Sequence, residues 1–426
     1  VNPQALPPVI DEQAGAIELY RIAIFALAGV GAVGLVGVLV LAGLGRTVPD
    51  GAIVLASVAV GALAGMIGGQ AELGQIEIHG VGSGDFDAKL WKSGKLNFVP
   101  DSRSPLIAPR QRGLWRNIYA PSIIDLGDSW RVFYGAWDGV DTGNDRIYSV
   151  TTEDFIDFGA RETVIEHGEF IHVCNVTSVR LPDGSYRLMC TVYPDKDNLN
   201  KPATFTSPDG TGWNGAKREY AARQSDIITI SGYDKYAAAD INGMNVILYE
   251  DGVYRLYFNN FKDFGKVYRA SSRDGRNFTF DGTSVEFGAC VNDVKKFISA
   301  GKPVYLMGLH MNGDRLWYSL SNDGMTFEAP REMVRNLGTE DRYIVAIGWV
   351  TRGNRLLGFL YGAGEVPELN RNRIFGRWLQ KNVVFVASDG TRYEPSGALG
   401  PDRQIIKIDK ELDGTFEVYA EDGVTL

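Results

Sequence analysis

Apolar and polar residues alternate along most of the chain after residue 120, and one hairpin pattern recurs. An apolar strand, a turn and an aromatic-rich alternating strand follow each other at 120–137, 177–193, 244–260, 294–310 and 344–362. Alternation with a period of two is typical of β-strands, and the turns GD, DG, DG, GK and GN are hairpin signals. Each copy therefore predicts a two-stranded hairpin.

A second recurring phrase is a β-type stretch, a Ser/Thr-Asp-Gly turn and an aromatic residue. It occurs at 148–158, 205–213, 268–278, 317–327 and 385–393, and the first copy lacks the glycine. Asp-Gly suits a tight hairpin, and the spacing of the copies fits a four-stranded propeller blade with loops. Two hairpins in each of five repeats predict an all-β fold, a five-bladed β-propeller. A β-sandwich with coincidental Asp-Gly turns is less favoured, because it does not require the long period.

The N-terminal part has a different composition. Residues 20–45 and 51–69 are almost wholly apolar, and the polar turn RTVPD separates them. Each run is long enough to cross a bilayer as a helix, so the pattern predicts an α-helical, transmembrane-type hairpin before the propeller. A signal peptide is less favoured, because the preceding residues Asp11, Glu12 and Glu18 are acidic and a second apolar run follows.

Two interpretations of this hairpin remain. As a membrane anchor, which we favour, it leaves the N-terminus and the propeller on the same side of the bilayer. As an oligomerisation stalk, it packs against copies of itself, as in a virion or another surface assembly. The predicted division is a polar N-terminus (1–19), the hydrophobic hairpin (20–70), a linker with first strands (71–105) and the propeller (106–426).

Charge and composition exclude some partners. The formal net charge is −9, and no basic stripe interleaved with aromatic residues occurs, so nucleic acid is not an expected partner. The three cysteines imply no disulfide framework, and buried free thiols are favoured. The four histidines lack paired spacing, so no cofactor is predicted. A lone calcium or sodium ion on the propeller axis is left open.

Residues 96–400 resemble a known superfamily in phrases such as IYAPSIIDLGDSWRVFYGAW and SRDGRNF. These phrases are similar to those of the five-bladed glycoside hydrolases of family 43, the arabinanases and xylosidases, and more distantly the invertases. The resemblance implies carboxylates at the starts of the inner strands, one to protonate the leaving oxygen and another to activate water or attack.

At the positions that match these carboxylates, the chain mostly carries residues without a carboxyl group. Blade one has Ala120-Pro121, blade two Asn175, blade three Asn242 or Asn245, and blade four Asn292. If the alignment with the family is shifted by one or two residues, carboxylates take these positions at the strand starts instead. The catalytic candidates are therefore Asp240, Asp293, Glu340 and Asp341. Amides bind hydroxyl groups but do not exchange protons near neutral pH, so the asparagines favour binding. The alternative role for each aspartate is the capping of backbone amides.

Further side chains near strand ends are candidates for sugar binding. Aromatic rings can stack on sugar faces, and arginines can bind hydroxyl groups. The predicted binding set is Trp115, Arg116, Asn117, Tyr119, Trp137, His172, Asn175, Asn242, Asn292 and Arg342, with Trp349 as a further aromatic near a strand end.

Three function classes follow. The first is a membrane-anchored glycosidase acting on a surface polymer. The second is a glycan-binding propeller without turnover, such as a receptor or adhesin. The third is a structural protein of a phage or similar particle that displays the propeller outward, and it combines with the second.

Overall fold

The computed structural model describes residues 74–109, 117–137, 143–194, 199–368, 371–408 and 417–420. The chain divides into two compact units, Val1–Ile76 with Lys407–Gly414, and Glu77–Ile406 with Thr415–Leu426. The predicted hydrophobic hairpin at 20–70 lies outside the described residues. Among the described residues, no helix combines the length and apolarity that crossing a membrane requires.

The described residues are mostly β-strands, joined by short turns. Before the first blade come β1 (Gly74–His79), helix α1 (Ala88–Ser93) and β2 (Phe98–Pro100). The next strands are β3 (Tyr119–Asp125), β4 (Trp130–Ala136), β5 (Arg146–Thr152), β6 (Glu162–Glu166), β7 (His172–Arg180), β8 (Tyr186–Tyr193), β9 (Lys201–Ser207), β10 (Tyr220–Ala221), β11 (Thr229–Ser231), β12 (Val246–Glu250), β13 (Val253–Phe258), β14 (Lys266–Ser272) and β15 (Asn277–Glu286). Then follow β16 (Cys290–Ser299), β17 (Lys302–His310), β18 (Arg315–Ser321), β19 (Arg331–Arg335), β20 (Tyr343–Arg352), β21 (Arg355–Gly364), β22 (Arg373–Leu379), β23 (Val383–Val386), β24 (Arg392–Tyr393), β25 (Gly397–Ala398), β26 (Arg403–Ile408) and β27 (Glu417–Ala420). Short 3-10 helices cover Gln224–Asp226, Tyr236–Ala238 and Phe261–Asp263.

Five sheets form a closed ring, as the repeats predict. Blade one holds β3 to β6, blade two β7 to β9, blade three β12 to β15, blade four β16 to β19 and blade five β20 to β22. Strands β10 and β11 add parallel edges to blades one and three. The inner strands β3, β7, β12, β16 and β20 contact one another in cyclic order. This topology is that of a five-bladed β-propeller.

A strand from the N-terminal side closes the ring. Strand β2 pairs antiparallel with β22, Phe98 opposite Leu379, and so becomes the outer strand of blade five. Nearby, Trp378 Nε1 donates a hydrogen bond to Asp101 Oδ2 at 2.8 Å. Large buried rings, among them Trp91, Trp349 and Trp378, fill the space between blades.

The Asp-Gly turns repeat one hydrogen-bond scheme. In the turns at 207–210, 272–275 and 321–324, the serine Oγ accepts from the glycine N–H at 2.8 to 3.0 Å. The aspartate carboxylate accepts from the two N–H groups that follow the glycine. In the first copy, Phe155 takes the glycine position with a φ of 61°. The turns are therefore fixed by local chemistry that the sequence displays.

Arginines tie these turns to the preceding blade. Arg187 Nη1 of blade two donates to the Gly275 carbonyl of blade three at 3.1 Å, and Arg255 Nη1 of blade three donates to the Asp323 carbonyl of blade four at 2.7 Å. We call these contacts arginine clasps. Each clasp also places a guanidinium over a tyrosine of the next blade: Arg187 over Tyr254 and Arg255 over Tyr305.

The prediction was wrong for the fifth copy of the turn phrase, which does not form the outer hairpin of blade five. Residues 385–393 lie in β23 and β24, which form a separate sheet with β27 instead of the outer hairpin of blade five. Strands β1, β26 and β25 form another small sheet. All three cysteines are free and buried, as the sequence favoured.

Candidate functional site

Four of the five inner strands begin with β-bulges at equivalent positions. The register shifts occur at residues 120–121 of β3, 175–176 of β7, 292 of β16 and 345 of β20. Ala120 and Asn175 have φ values of 52° and 53°, in the left-handed region that non-glycine residues seldom adopt. Bulges redirect side chains and are common next to binding sites. They mark one end of the propeller, which we call the mouth.

A pocket lies at the mouth, and every blade contributes to it. Its volume is about 110 Å³. It is lined by Tyr119 of blade one, Asn175 and Tyr193 of blade two, Asn242, Gly243, Met244 and Phe261 of blade three, Cys290, His310 and Asn312 of blade four, and Val345 and Ala346 of blade five. Among the described residues that line it, none carries a carboxylate or an ammonium or guanidinium group.

Amides and phenols form one wall of the pocket. Tyr193 donates from its hydroxyl to Asn242 Oδ1 at 2.7 Å, and the Gly243 N–H donates to the same oxygen. Burial raises the pKa values of Tyr119 and Tyr193 well above the ordinary value for tyrosine. Both phenols are therefore neutral near pH 7 and available as hydrogen-bonding groups.

His310 has a defined hydrogen-bonding state. Asn292 donates from Nδ2 to the Val291 carbonyl at 3.1 Å, so its Oδ1 faces His310 Nδ1 at 3.0 Å. Burial lowers the pKa of His310 to about 4, so the ring is neutral near pH 7 and Nδ1 carries its proton. With that tautomer Nε2 is an acceptor, and it lies 2.8 Å from Asn312 Oδ1. An acceptor at Nε2 pairs with Asn312 only if the amide of Asn312 is turned over, so that its NH₂ faces the ring.

One carboxyl group lies buried behind this wall. Asp145 Oδ1 has no hydrogen-bond partner among the described residues. Burial raises the pKa of Asp145 well above its usual range, although the Asn117 amide and Arg146 act in the opposite direction. The backbone N–H of Asp145 donates to His172 Nδ1 at 3.1 Å, which assigns the histidine proton to Nε2. The 3.4 Å contact between that ring and Asp145 Oδ2 is therefore not an ion pair of a charged histidine.

The four predicted catalytic carboxylates do not line the pocket. Asp240 accepts from Asn200 Nδ2 at 2.8 Å, and burial raises its pKa. Asp293 Oδ2 accepts from the Trp349 N–H at 2.9 Å, and its Oδ1 lies 3.1 Å from Lys295 Nζ.

The two acids of blade five are also engaged elsewhere. Asp341 is buried and accepts from Leu337 N, Tyr361 Oη and Arg377 Nη2 at 2.8 to 3.0 Å. Glu340 is exposed and lies 3.6 Å from Arg373 Nη1. In blade five the bulge is at Val345, four residues after Asp341.

The predicted binding residues fall into two groups. Tyr119, Asn175 and Asn242 line the pocket, and Asn292 lies behind it against His310. The others that are described lie off the lining: Asn117 and His172 beside Asp145, half-buried Trp137, and Arg342, which donates to the Gly338 carbonyl. Trp115 and Arg116 lie outside the described residues. Trp349 is fully buried between blades.

Sequence reasoning missed several pocket residues. Tyr193, His310 and Asn312 stand at or just after the end of the second strand of a blade, and Phe261 follows β13. In a propeller the second strand ends at the level where the first begins, so residues at both positions are candidates for the pocket. Asp145 precedes β5, where the same argument applies.

Comparisons with known proteins give fold neighbours only. No family model matches the chain, and no curated protein matches it. The catalytic domain of a GH62 α-L-arabinofuranosidase from Coprinopsis cinerea is 15% identical and covers 67% of this chain and 97% of its own, with a TM-score of 0.47. A GH130 structure described for hydrolases that target β-1,2-mannosidic linkages in Candida mannan is 13% identical over 72% and 96%, with a TM-score of 0.48. An α-L-arabinofuranosidase from Podospora anserina in complex with cellotriose is 13% identical over 67% and 97%, with a TM-score of 0.46.

Proposed function

We propose that the propeller binds a glycan at its mouth and does not hydrolyse it. The observation that supports this is the composition of the pocket, whose described polar lining consists of amides, phenols and an imidazole. Amides offer both donors and acceptors, which matches the hydroxyl groups of a sugar. All five blades contribute, so the groups are held by a rigid scaffold.

The arrangement of carboxyl groups argues against hydrolysis. Glycoside cleavage by the common mechanisms uses two carboxyl groups on opposite sides of the scissile bond, about 5 to 9.5 Å apart. Asp145 interacts with the pocket phenols of Tyr119 and Tyr193 from behind the wall. The predicted acids do not line the pocket, and they bind amide, backbone and basic groups. A single carboxyl group can fill one of these two roles and leaves the other without a residue.

A binding and turnover panel tests the proposal. Purified full-length protein is titrated with arabinan, xylan, β-mannan, cellotriose and bacterial wall polysaccharide, and the same mixtures are assayed for released reducing sugar. We expect binding to at least one glycan and no release above the blank. Release of sugar would contradict the proposal, and so would the absence of binding across the panel.

Two variants connect such binding to the pocket. Asn175→Gly keeps the left-handed backbone and removes the amide, and Asn242→Ala removes the acceptor of Tyr193. Each should weaken binding about tenfold, since one hydrogen bond contributes roughly 1 to 1.5 kcal/mol. Asn336→Ala, outside the pocket lining, is the control and should bind as the native chain does.

Display of the propeller from a membrane is also part of the proposal, and the two apolar runs of residues 20–70 support it. Lipid or copies of the same chain are the expected partners of these runs, and nucleic acid is not expected. Deletion of residues 1–72 should give a folded propeller that needs no detergent. A virion or other surface assembly is the alternative, in which the full chain forms large particles in the absence of lipid.

A further inference from the structure

Two phenylalanines at the mouth are unusually exposed. Phe261 and Phe264 lie between β13 and β14 with 40% and 49% of their surface exposed. Their ring centroids are 5.5 Å apart and the rings are nearly perpendicular. Adjacent exposed aromatic residues on a soluble surface commonly mark a contact site. We call this pair the phenylalanine platform.

The platform is held rigidly by the fold. The Phe261 N–H donates to the Asp240 carbonyl at 2.7 Å, and Asn260 Oδ1 accepts from the Lys262 N–H at 3.1 Å. Asp263 accepts from Tyr268 Oη at 2.6 Å. A loop that is ordered before binding loses little conformational entropy when a ligand arrives. The two rings are therefore preorganised for a contact.

The platform is continuous with the pocket. Phe261 lines the pocket, and its ring lies 3.6 Å from the position that a Cβ atom would take on Gly243, beside Asn242. At about 110 Å³ the pocket is smaller than the roughly 300 to 1,000 Å³ of pockets that enclose a whole small-molecule ligand. Most of a bound oligosaccharide must therefore lie outside the pocket, over its rim.

We propose that Phe261 and Phe264 form a second sugar subsite, which stacks on the ring next to the one held by the pocket; this rests on the proposed glycan binding. A sugar ring has an apolar face of C–H groups and an edge of hydroxyl groups. The platform matches the face, and the amides match the edge. Two phenyl rings are too small for a stable protein partner, which buries about 800 Å² on each side. The ligand class is therefore an oligosaccharide rather than a monosaccharide.

Calorimetric titration of the full-length protein with the mono- and trisaccharides of arabinose, xylose, mannose and glucose tests this subsite. Native protein should bind a trisaccharide more tightly than its monosaccharide. Phe264→Ala should weaken trisaccharide binding about five- to tenfold and leave monosaccharide binding unchanged, whereas Phe264→Trp should retain trisaccharide binding. Met325→Ala, an equally exposed apolar residue in the turn after β18 at the opposite end, should change neither.

The outcomes separate the two proposals. If the native chain binds no saccharide of the panel, the proposal of glycan binding is wrong, and the proposal of a sugar subsite is wrong with it. If the native chain binds but Phe264→Ala leaves trisaccharide binding intact, or weakens both ligands equally, the subsite alone is wrong. Thermal unfolding of each variant excludes loss of fold as the cause, because Phe264 is half exposed.

Discussion

The guanidinium of Arg187 lies 4.6 Å from the ring centroid of Tyr254, in the next blade. The same group donates to the Gly275 carbonyl, so one side chain of blade two holds both a strand and a turn of blade three. The residue pairs Tyr186-Arg187 and Tyr254-Arg255 repeat in the sequence at equivalent strand positions, and Trp130-Arg131 does so in blade one. The residues that make the contact between blades therefore recur with the repeat.

Loss of a clasp should destabilise the propeller. Arg187→Ala should lower the free energy of unfolding by about 2 to 3 kcal/mol, because a cation–π contact and a charged hydrogen bond are lost together. Urea unfolding followed by tryptophan fluorescence measures the change. Lys302→Ala, at an exposed position, should stay within about 0.5 kcal/mol of the native chain. Equal effects of the two variants would show that the clasp contributes nothing.

Replacement of the turn glycine Gly275 should be costly for two reasons, its backbone conformation and a neighbouring side chain. Gly275 has a φ of +70°, and a Cβ atom there would lie 2.6 Å from Arg187 Cζ. Gly252 has a φ of +77° and no atom within 4 Å of that position. Gly252→Ala should cost about 1 kcal/mol of unfolding free energy, and Gly275→Ala about 1 to 3 kcal/mol more. Similar values for both would contradict close packing of the arginine.

Asp341 provides a test between structural and catalytic roles. Its ion pair with Arg377 is almost fully buried, so Asp341→Asn should lower the free energy of unfolding by about 3 to 5 kcal/mol. Glu340→Gln, at the exposed neighbour, should change it by less than about 1 kcal/mol. If Asp341→Asn abolished a measurable hydrolysis while the unfolding free energy stayed native, the residue would be catalytic.

His310 should make stability depend on pH. Its pKa is about 4 in the folded protein and 6.5 as an ordinary histidine, so the unfolded chain binds a proton between these values and the folded chain does not. Stability should therefore fall as the pH drops from about 6.5 to about 4, by up to roughly 3 kcal/mol.

Unfolding at pH 7.5 and pH 4.5 measures this effect for the native chain and for His310→Gln. The difference between the two proteins removes the titration of groups that they share. A native slope that persists in His310→Gln would assign the pH dependence to other groups.

The propeller could be predicted from the sequence because the turns and strands that indicate it depend on residues close together in the chain. The turns at 207–210, 272–275 and 321–324 contain the serine, aspartate and glycine that form their hydrogen bonds, and the strands alternate. The phrase at 385–393 has the same local chemistry but pairs with β27, and local chemistry does not specify a pairing partner. First strands were predicted within residues 71–105, but the pairing of β2 with β22 was not, since the partner strand is distant in sequence.

The candidate site was predicted in part. Asn175 and Asn242 were found because inner strands begin at the mouth, and both line the pocket. In blade five the offset between Asp341 and the bulge at Val345 depends on strand pairing, which a sequence without aligned relatives does not reveal. His310 and Asn312 stand at and after the end of the second strand of blade four, and they were not predicted because the hypothesis considered only the starts of the inner strands.

Closure by β2 also sets a time scale for biosynthesis. Asp101 and its partner Trp378 are 277 residues apart, so at about 5 to 20 residues per second the ribosome needs roughly 14 to 55 s to deliver the second after the first. Blades one to four can form while the closing strand waits unpaired. The ring therefore closes only after β22 has been made, and until then β2 keeps an unpaired strand edge that chaperones or neighbouring chains can reach.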